Sequence, residues 1–231
     1  AADSRAQEVT PASWLWMWLV VILPAMLVFF IRLFVPESER WKASISKNKN
    51  NHPLKEVFSK KLLKNTCLAI CFSSIALIGT WGSVQWIPVW VDQMVGDTLP
   101  TAKSDVGMLS AMGAIIGCLA GPLIGGGIGR RPAFFLLCLS SWLVCGTLYR
   151  SGTEYGATFK FLVFLTGMTT AAFYGWFPLY LPELFPTRSR ATGQGVGYNS
   201  GRIFAAFGAI AGGQLVAAFD GDYTRMGSMI T

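Results

Sequence analysis

The stretch at residues 197–213 reads GYNSGRIFAAFGAIAGG, and it indicates the fold class because it combines a membrane-like run with a cation. From residue 196 to 219 nearly every side chain is apolar or small, as in a helix that crosses a bilayer. Arg202 lies inside this run, with Tyr198 and Asn199 about one turn before it. A charge at bilayer depth costs about 2.5–3.5 kcal/mol even on lenient insertion scales, so it normally has a function. The stretch therefore predicts a membrane helix with a polar site near its centre.

The composition of the whole chain is that of an integral membrane protein. Charged residues make up 13% of the 231 residues, whereas about 25% is usual in soluble domains. The mean hydropathy is +0.46. Nine Trp and 16 Phe suit contact with lipid and with the membrane interfaces.

Six segments are long enough to cross a bilayer, which takes about 20 residues. The predicted fold is therefore an all-α integral membrane protein. The spans are predicted at 13–35, 65–91, 106–128, 132–149, 158–181 and 192–219. The remaining segments are a polar stretch at 1–12, a basic loop at 36–64 and a polar end at 220–231.

Lysine and arginine are concentrated in three connections, at 36–64, 129–131 and 182–191. The alternate connections carry only Lys103 and Arg150. Because basic loops stay in the cytoplasm, we expect these three connections inside and both ends of the chain outside. Anionic lipid and topology account for the charge of the 36–64 loop, so nucleic-acid binding is not expected despite the net charge of +7.

The sequence shows no sign of a metal centre, a cofactor or a catalytic group. All five cysteines lie in apolar runs, and the one histidine, His52, lies in a polar loop. Cys67 and Cys71 share a helix face, but no further ligands cluster nearby, so we expect reduced cysteines that pack as small apolar side chains. No nucleophile–base pair lies in any span, and the chain is not expected to be an enzyme.

Two of the predicted spans carry small residues every four positions. Such a ridge has no bulky side chains, so another helix backbone can approach it closely. One alternative is tight packing within a bundle, and the other is a face that slides or rocks against a partner domain. The two ladders are Gly113, Gly117, Gly121, Gly125 and Gly129, and Gly193, Gly197, Gly201, Ala205, Ala209 and Gly213.

Three loop motifs resemble the major facilitator superfamily of secondary transporters, in particular bacterial permeases for sugars and organic acids. They are VPESERW at 35–41, GRRP at 129–132 and LPELFPTRSRATG at 181–193. The second motif departs from the family pattern, since Gly126 and Gly127 stand where an acidic and a basic residue are usual.

The resemblance implies that the six spans are helices six to eleven of a twelve-helix protein of the bacterial inner membrane. The chain has no initiating Met, and its last residues resemble the start of another apolar run, so we expect an incomplete chain. Its partners would then include the missing N-terminal half of the same protein, together with membrane lipids.

The loop motifs also place acidic and basic residues at helix ends. Glu183 lies beside Arg188 and Arg190, and we expect a carboxylate–guanidinium pairing that breaks when the half-domains separate. Arg130 and Arg131 belong to the second motif and are candidate gating residues with them. The alternative is that these charges only fix the topology of the loops.

Arg202, Asn199 and Tyr198 share one helix face and form the predicted substrate site, where a guanidinium suits a carboxylate or, with the amide, hydroxyl groups. The alternative is a structural arginine that pairs with the absent half.

Two further spans contribute aromatic and amide candidates for the same cavity. They are Trp81 and Gln85 in the second span, where Pro88 loosens the helix, and Tyr174 and Trp176 in the fifth span, where Gly175 and Pro178 mark a broken helix. For Trp86 and Trp90 in the second span, the alternative is an interfacial position near the outer surface.

The function that the resemblance implies is secondary transport of a small polar solute, a sugar or an organic anion, by alternating access and with a coupling proton. No span holds an Asp or Glu in its central turns, so a proton-carrying carboxylate would belong to the other half. A non-transporting receptor on the same scaffold, a facilitator and an efflux protein remain alternatives.

Overall fold

A computed structural model describes residues 11–36, 39, 42–43, 52–152 and 154–231, without the side chains of 11–14 and 17. Most of the predicted outer segment 1–12 and much of the basic loop lie outside the described residues. So do Glu37, Ser38, Arg40 and Trp41 of the first loop motif.

The chain divides into two units, residues 1–49 and residues 50–231, and each is described by itself. In the first unit, helix α1 spans Pro11–Phe34 and includes Pro24. Its described apolar part, Trp18–Phe34, exposes large side chains all round. A helix that is apolar on every side is typical of a membrane span or a buried core helix.

Every described element of the second unit is a helix. The helices are α2 Pro53–Val57, α3 Leu63–Gly82, α4 Ile87–Val95, α5 Ala102–Gly127, α6 Arg130–Ser151, α7 Ala157–Tyr180, α8 Arg190–Ala218 and α9 Tyr223–Ile230. Short 3₁₀ turns at Val84–Trp86 and Leu181–Leu184 follow α3 and α7.

Five of these segments are long and apolar enough to cross a membrane, which confirms an all-α integral membrane fold. They are Leu63–Val95, Ala102–Gly127, Arg130–Ser151, Ala157–Leu184 and Arg190–Ala218. Their bounds agree with the last five predicted spans to within about four residues at each end. The first predicted span coincides with α1, whose described apolar part alone is shorter.

The glycine ladder of α5 packs directly against α7. A Cβ atom on Gly117 would overlap the carbonyl oxygen of Met168, and one on Gly121 would overlap that of Ala172. The fit is reciprocal, because a Cβ on Gly167 or Gly175 of α7 would overlap carbonyl oxygens of α5. The structure therefore places this ladder in tight packing within the bundle, and α7 occupies the face that a sliding partner domain would need.

The small residues of α8 face α3 in the same way. A Cβ on Gly197 would lie 2.7 Å from the Cβ of Ala69, and one on Gly201 would lie 2.8 Å from the Cβ of Ser73. The two close pairs, α5 with α7 and α3 with α8, both join helices that are not adjacent in sequence. Backbone contact of this kind supplies the van der Waals packing that holds membrane helices together in lipid.

The second predicted span is interrupted where the sequence suggests a loosened helix. α3 ends at Gly82, and α4 begins at Ile87 with Pro88 in its first turn. The carbonyl oxygen of Ser83 accepts two hydrogen bonds, one of 2.6 Å from the hydroxyl of Tyr149 on α6 and one of 3.1 Å from the backbone N–H of Trp86.

The fifth predicted span, in contrast, is not broken. α7 continues through Gly175 and Pro178 to Tyr180. Pro178 lies in the last turn of the helix, and α7 is packed on most sides, with more of its length buried than any other described span. Close packing against α5 therefore holds α7 regular at Gly175, where a Cβ would overlap the carbonyl oxygen of Cys118.

Candidate functional site

Arg202 lies near the middle of the 29-residue helix α8, on a face that the described bundle leaves exposed. Its guanidinium carbon lies 5.7 Å from the centre of the Tyr198 ring, one turn earlier on the same face. A cation over an aromatic ring is stabilised by about 0.5–1 kcal/mol at an exposed site. This contact leaves the hydrogen-bond donors of the guanidinium free for a solute.

Tyr174 of α7 belongs to the surroundings of Arg202. It is half-buried, it faces Thr80 of α3, and it lies within electrostatic range of Tyr198 and Arg202. The ring of Tyr198 also makes an edge contact with Phe177, at 6.2 Å between ring centres. Three helices, α3, α7 and α8, thus meet around the predicted arginine. Thr80 was not predicted, because a single threonine next to Trp81 gives no distinguishing sequence signal.

A small cavity opens beside Arg202, between α3 and α8. Its volume is about 200 Å³, and it is lined by Trp81, Arg202, Ala205, Ala206 and Ala209. The indole of Trp81 is 43% exposed, so it forms an open wall of this cavity rather than part of the core. The structure therefore brings two of the predicted residues, Trp81 and Arg202, into one lining.

Asn199 and Gln85 lie near this region but outside the cavity lining. The amide of Asn199 is exposed and donates a hydrogen bond of 2.9 Å to the carbonyl oxygen of Gly195, within its own helix. Gln85 is exposed on the 3₁₀ turn after α3. Asn199 shares the helix face of Tyr198 and Arg202, whereas the structure shows no contact between Gln85 and that group.

The structure does not place Trp176 in a cavity with Arg202, contrary to the sequence-based expectation. Trp176 is 1% exposed and packs among Phe72, Phe134 and Tyr180 in the core. The reason is its position on α7 opposite Gly125, whose missing side chain leaves room for the indole. Trp90 is also buried, and its ring stacks on that of Tyr149 at 5.1 Å between ring centres.

The charged loop residues pair differently from the sequence-based expectation. Glu183 binds Arg130 rather than Arg188 or Arg190, with 2.7 Å from Nη2 to Oε1 and 3.0 Å from Nε to Oε2. Nη1 of Arg130 also donates a hydrogen bond of 2.6 Å to the carbonyl oxygen of Gly125 at the end of α5. Arg130 therefore connects the ends of α5, α6 and α7.

Arg188 pairs with Glu56 of α2, at 2.7 Å from Nε to Oε1. This hydrogen bond raises the pKa of Arg188 above its usual value, so the guanidinium stays charged. Glu56 had no predicted role, because an acidic residue in a basic loop has no distinguishing pattern. The hydrogen bond from Arg130 is the main cause that lowers the pKa of Glu183, and the charge of Arg190 adds to it. Arg131 is exposed and lines a separate cavity together with Phe72, Trp176 and Tyr180.

The two ion pairs bring all three basic connections to one end of the bundle. Glu56 belongs to the 36–64 segment, Arg130 to the 129–131 connection, and Glu183 and Arg188 to the 182–191 connection. At the other end of the bundle, Asp92 near the end of α4 and Lys103 in the first turn of α5 form a separate ion pair at 3.3 Å. This arrangement is the one that strict alternation of the spans requires.

The groups near Arg202 can bind a polar or aromatic solute. The arginine, the Tyr174 and Tyr198 phenols and the Trp81 indole offer hydrogen-bond donors and flat aromatic surfaces. Among the described residues, no group of three His, Cys, Asp or Glu side chains is placed to hold a metal ion.

Comparison with known proteins agrees with this architecture. Residues 9–209 match the Major Facilitator Superfamily. The chain is 28% identical over 209 residues to a protein named probable 4-methylmuconolactone transporter of Cupriavidus pinatubonensis, covering 90% of the chain and 47% of that protein. It is 26% identical to the cis,cis-muconate transport protein of Acinetobacter baylyi, covering 84% and 48%. It is also 26% identical to the sialic acid transporter NanX of Escherichia coli, covering 87% and 49%.

The chain spans about half the length of these curated relatives. No solved structure matches it significantly. The family match nevertheless extends over most of the chain, and it agrees with the five apolar helices and with the loop motifs. The chain is a multi-pass protein of the inner membrane and belongs to the Major Facilitator Superfamily.

Proposed function

We propose that this chain forms part of a secondary transporter that binds a small carboxylate-bearing solute at Arg202. The observation that carries the proposal is the position of an exposed guanidinium near the middle of a membrane-spanning helix. A cation at this depth is expected to line a water-accessible cavity, because contact with lipid there is costly. Transporters of this kind bind their solutes near the bilayer midplane, between structural repeats.

The groups around Arg202 support a carboxylate as the bound chemistry. A guanidinium binds a carboxylate through two parallel hydrogen bonds. Tyr198, Asn199 and Tyr174 add donors that suit a second oxygen group on the same solute. Two of the relatives are named for acids, muconate and sialic acid, which agrees with this choice.

The helices of this chain correspond, in this proposal, to helices six to eleven of the family, with α3 and α4 together as the seventh. The face of α8 that carries Arg202 then meets the half of the protein that this chain does not include. The basic connections at 36–64, 129–131 and 182–191 are cytoplasmic in this arrangement, in accord with their lysine and arginine content.

The two ion pairs at the basic end are proposed to bias the alternating-access equilibrium. Arg130–Glu183 and Arg188–Glu56 are partly exposed and join separate segments, so a change of angle between helices would break them. An exposed pair of this kind contributes about 0.2–1 kcal/mol, enough to shift a balanced equilibrium several-fold without locking one state.

Proton symport is the coupling that we propose. The central turns of the described spans contain no Asp or Glu, so the proton-carrying group is assigned to the other half of the transporter. Uptake driven by an imposed pH gradient tests this assignment separately from solute binding.

The proposal is tested with the full-length protein in proteoliposomes, by counterflow of radiolabelled cis,cis-muconate and of radiolabelled sialic acid. We expect counterflow of at least one of the two solutes, and we expect Arg202→Gln to abolish it. Arg202→Lys keeps the charge but loses the bidentate geometry, so it should retain only part of the rate. Arg225→Gln, which changes an exposed arginine after α8, is the matched control and should transport normally.

Zero counterflow of both acids by the unaltered protein would overturn the proposal. Binding of either acid without any counterflow would favour a receptor on the same scaffold. Counterflow that Arg202→Gln leaves unchanged would show that transport occurs but that Arg202 has a structural role.

A further inference from the structure

Arg202 stands at a boundary between two chemically different parts of the exposed face of α8. One turn before it lie Tyr198 and Asn199, which carry polar groups. One and two turns after it lie the exposed Ala206 and the half-buried Ala209, which line the 200 Å³ cavity with Trp81 and the buried Ala205. At 1.5 Å per residue, Ala209 is about 10 Å further along the helix axis than Arg202.

The cavity exists because three alanines interrupt a series of large side chains. Ile203, Phe204, Phe207 and Ile210 of the same helix are 48–65% exposed and fill the surface around it. Trp81 covers the alanine floor from α3. A longer side chain at position 206 would occupy the space that the alanine methyl group leaves open.

The lining of the cavity offers few partners for hydroxyl groups. Its residues are three alanines, the indole of Trp81 and the guanidinium of Arg202. Backbone groups of α8 are bonded within the helix, so Arg202 and the indole N–H are the donors that a solute can reach there. A hydroxyl group of a solute that lies against this lining finds only these two donors on the chain, and a hydroxyl group without a partner costs free energy that a hydrocarbon does not lose.

We propose that Trp81 and Ala206 determine specificity by selecting solutes whose carboxylate is attached to a flat, unsaturated hydrocarbon skeleton. The carboxylate lies on Arg202, the hydrocarbon lies on the indole over the alanine floor, and a second polar group points towards Tyr198 and Asn199. A cavity of 200 Å³ is below the range of about 300–1,000 Å³ for drug-sized ligands, so the solute part that it takes is small. This inference rests on the proposed function, since it deepens the same site.

The test compares two acids in the full-length protein, so that any general loss of folding or insertion cancels in the ratio. The probes are cis,cis-muconate, which is flat and unsaturated, and sialic acid, which is polyhydroxylated. The measured quantity is the ratio of their initial counterflow rates in proteoliposomes. The variants are Trp81→Leu, which removes the flat wall, and Ala206→Leu, which fills the cavity.

We expect the unaltered protein to prefer muconate, and we expect Trp81→Leu to lower the muconate-to-sialic-acid ratio by about threefold to tenfold, the range typical of one aromatic contact. Ala206→Leu should lower the ratio at least as much. The matched controls are Trp142→Leu, an exposed tryptophan of α6, and Ala211→Leu, an exposed alanine of α8 outside the lining. Neither control should change the ratio.

A preference for sialic acid, or a ratio that neither Trp81→Leu nor Ala206→Leu changes, would overturn this inference and leave the transport function standing. Counterflow of neither acid by the unaltered protein would overturn both. Equal shifts in the Ala206→Leu and Ala211→Leu variants would assign the effect to the helix surface rather than to the cavity.

Discussion

Glu183 and Arg130 are 53 residues apart in the sequence, and their side chains meet at 2.7 Å between Oε1 and Nη2. The contact joins the turn after α7 to the first residue of α6. Because Arg130 also donates a hydrogen bond to the carbonyl oxygen of Gly125, a single guanidinium connects the ends of three helices.

Replacing Glu183 with Gln should change transport more than stability. The side chains of Arg130 and Glu183 are 29% and 46% exposed, so the pair contributes at most about 1 kcal/mol to folding. The thermal unfolding midpoint in detergent should therefore shift little, whereas the rate of counterflow should change several-fold. The charge-exchanged double variant Arg130→Glu with Glu183→Arg should recover part of that change. Identical turnover and identical conformational bias in Glu183→Gln and the unaltered protein would refute a gating role.

Replacing Gly117 with Ala should destabilise the bundle. The added methyl group would overlap the carbonyl oxygen of Met168, and backbone atoms cannot move aside as a flexible side chain can. Overpacking typically costs about 1–3 kcal/mol, which a lower thermal unfolding midpoint would report. Gly126→Ala is the matched control on the same helix, since nothing lies within 4 Å of its added Cβ. Equal midpoints for the two variants would contradict the packing of α5 on α7.

Replacing Tyr149 with Phe should also destabilise the protein, because it removes the hydrogen bond of 2.6 Å between α6 and the Ser83 carbonyl oxygen and leaves that oxygen only the bond of 3.1 Å from the Trp86 N–H. The net contribution of one such hydrogen bond to stability is about 0.5–1.5 kcal/mol. Tyr155→Phe is the comparison, since the hydroxyl of Tyr155 is buried without a hydrogen-bond partner. The first variant should lower the thermal unfolding midpoint and the second should leave it unchanged or raise it. The reverse order would show that the interruption after α3 does not depend on Tyr149.

Replacing Gly129 with Ala should strain the turn between α5 and α6. Gly129 has φ of +93° and ψ of 161°, a conformation that residues with a side chain rarely adopt. Holding an alanine there costs about 1–3 kcal/mol. Gly127→Ala, two residues earlier within the helix and with open space around it, is the control. A loss of stability in Gly127→Ala as large as in Gly129→Ala would argue against this turn geometry.

The spans could be predicted from sequence because length and hydropathy depend on the bilayer rather than on tertiary contacts. The partners within the bundle could not be predicted in this way. Arg188 and Arg190 are the sequence neighbours of Glu183, yet Arg130 binds it, since the fold brings the ends of α6 and α7 together. Sequence adjacency carries no information about such a contact.

In the candidate site, too, the sequence identifies some residues but not their contacts. Arg202 stands out in the sequence because a charge in an apolar run is rare and costly. Tryptophan is a residue type that often lines solute cavities, but Trp176 is buried because Gly125 opposite it on α5 leaves room for its indole. Ala205 and Ala209 belong to a small-residue ladder that predicts helix packing, but the cavity that they line with Ala206 and Trp81 could not be predicted from the sequence.

The pairing of α5 with α7 also has a consequence for biosynthesis. Met168 follows Gly117 by 51 residues, which a ribosome adds in about 3–10 s. During that interval the glycine face of α5 has no partner, although α6 has already emerged. We therefore expect efficient insertion of this chain to require that α5 does not associate with another nascent helix before α7 is made.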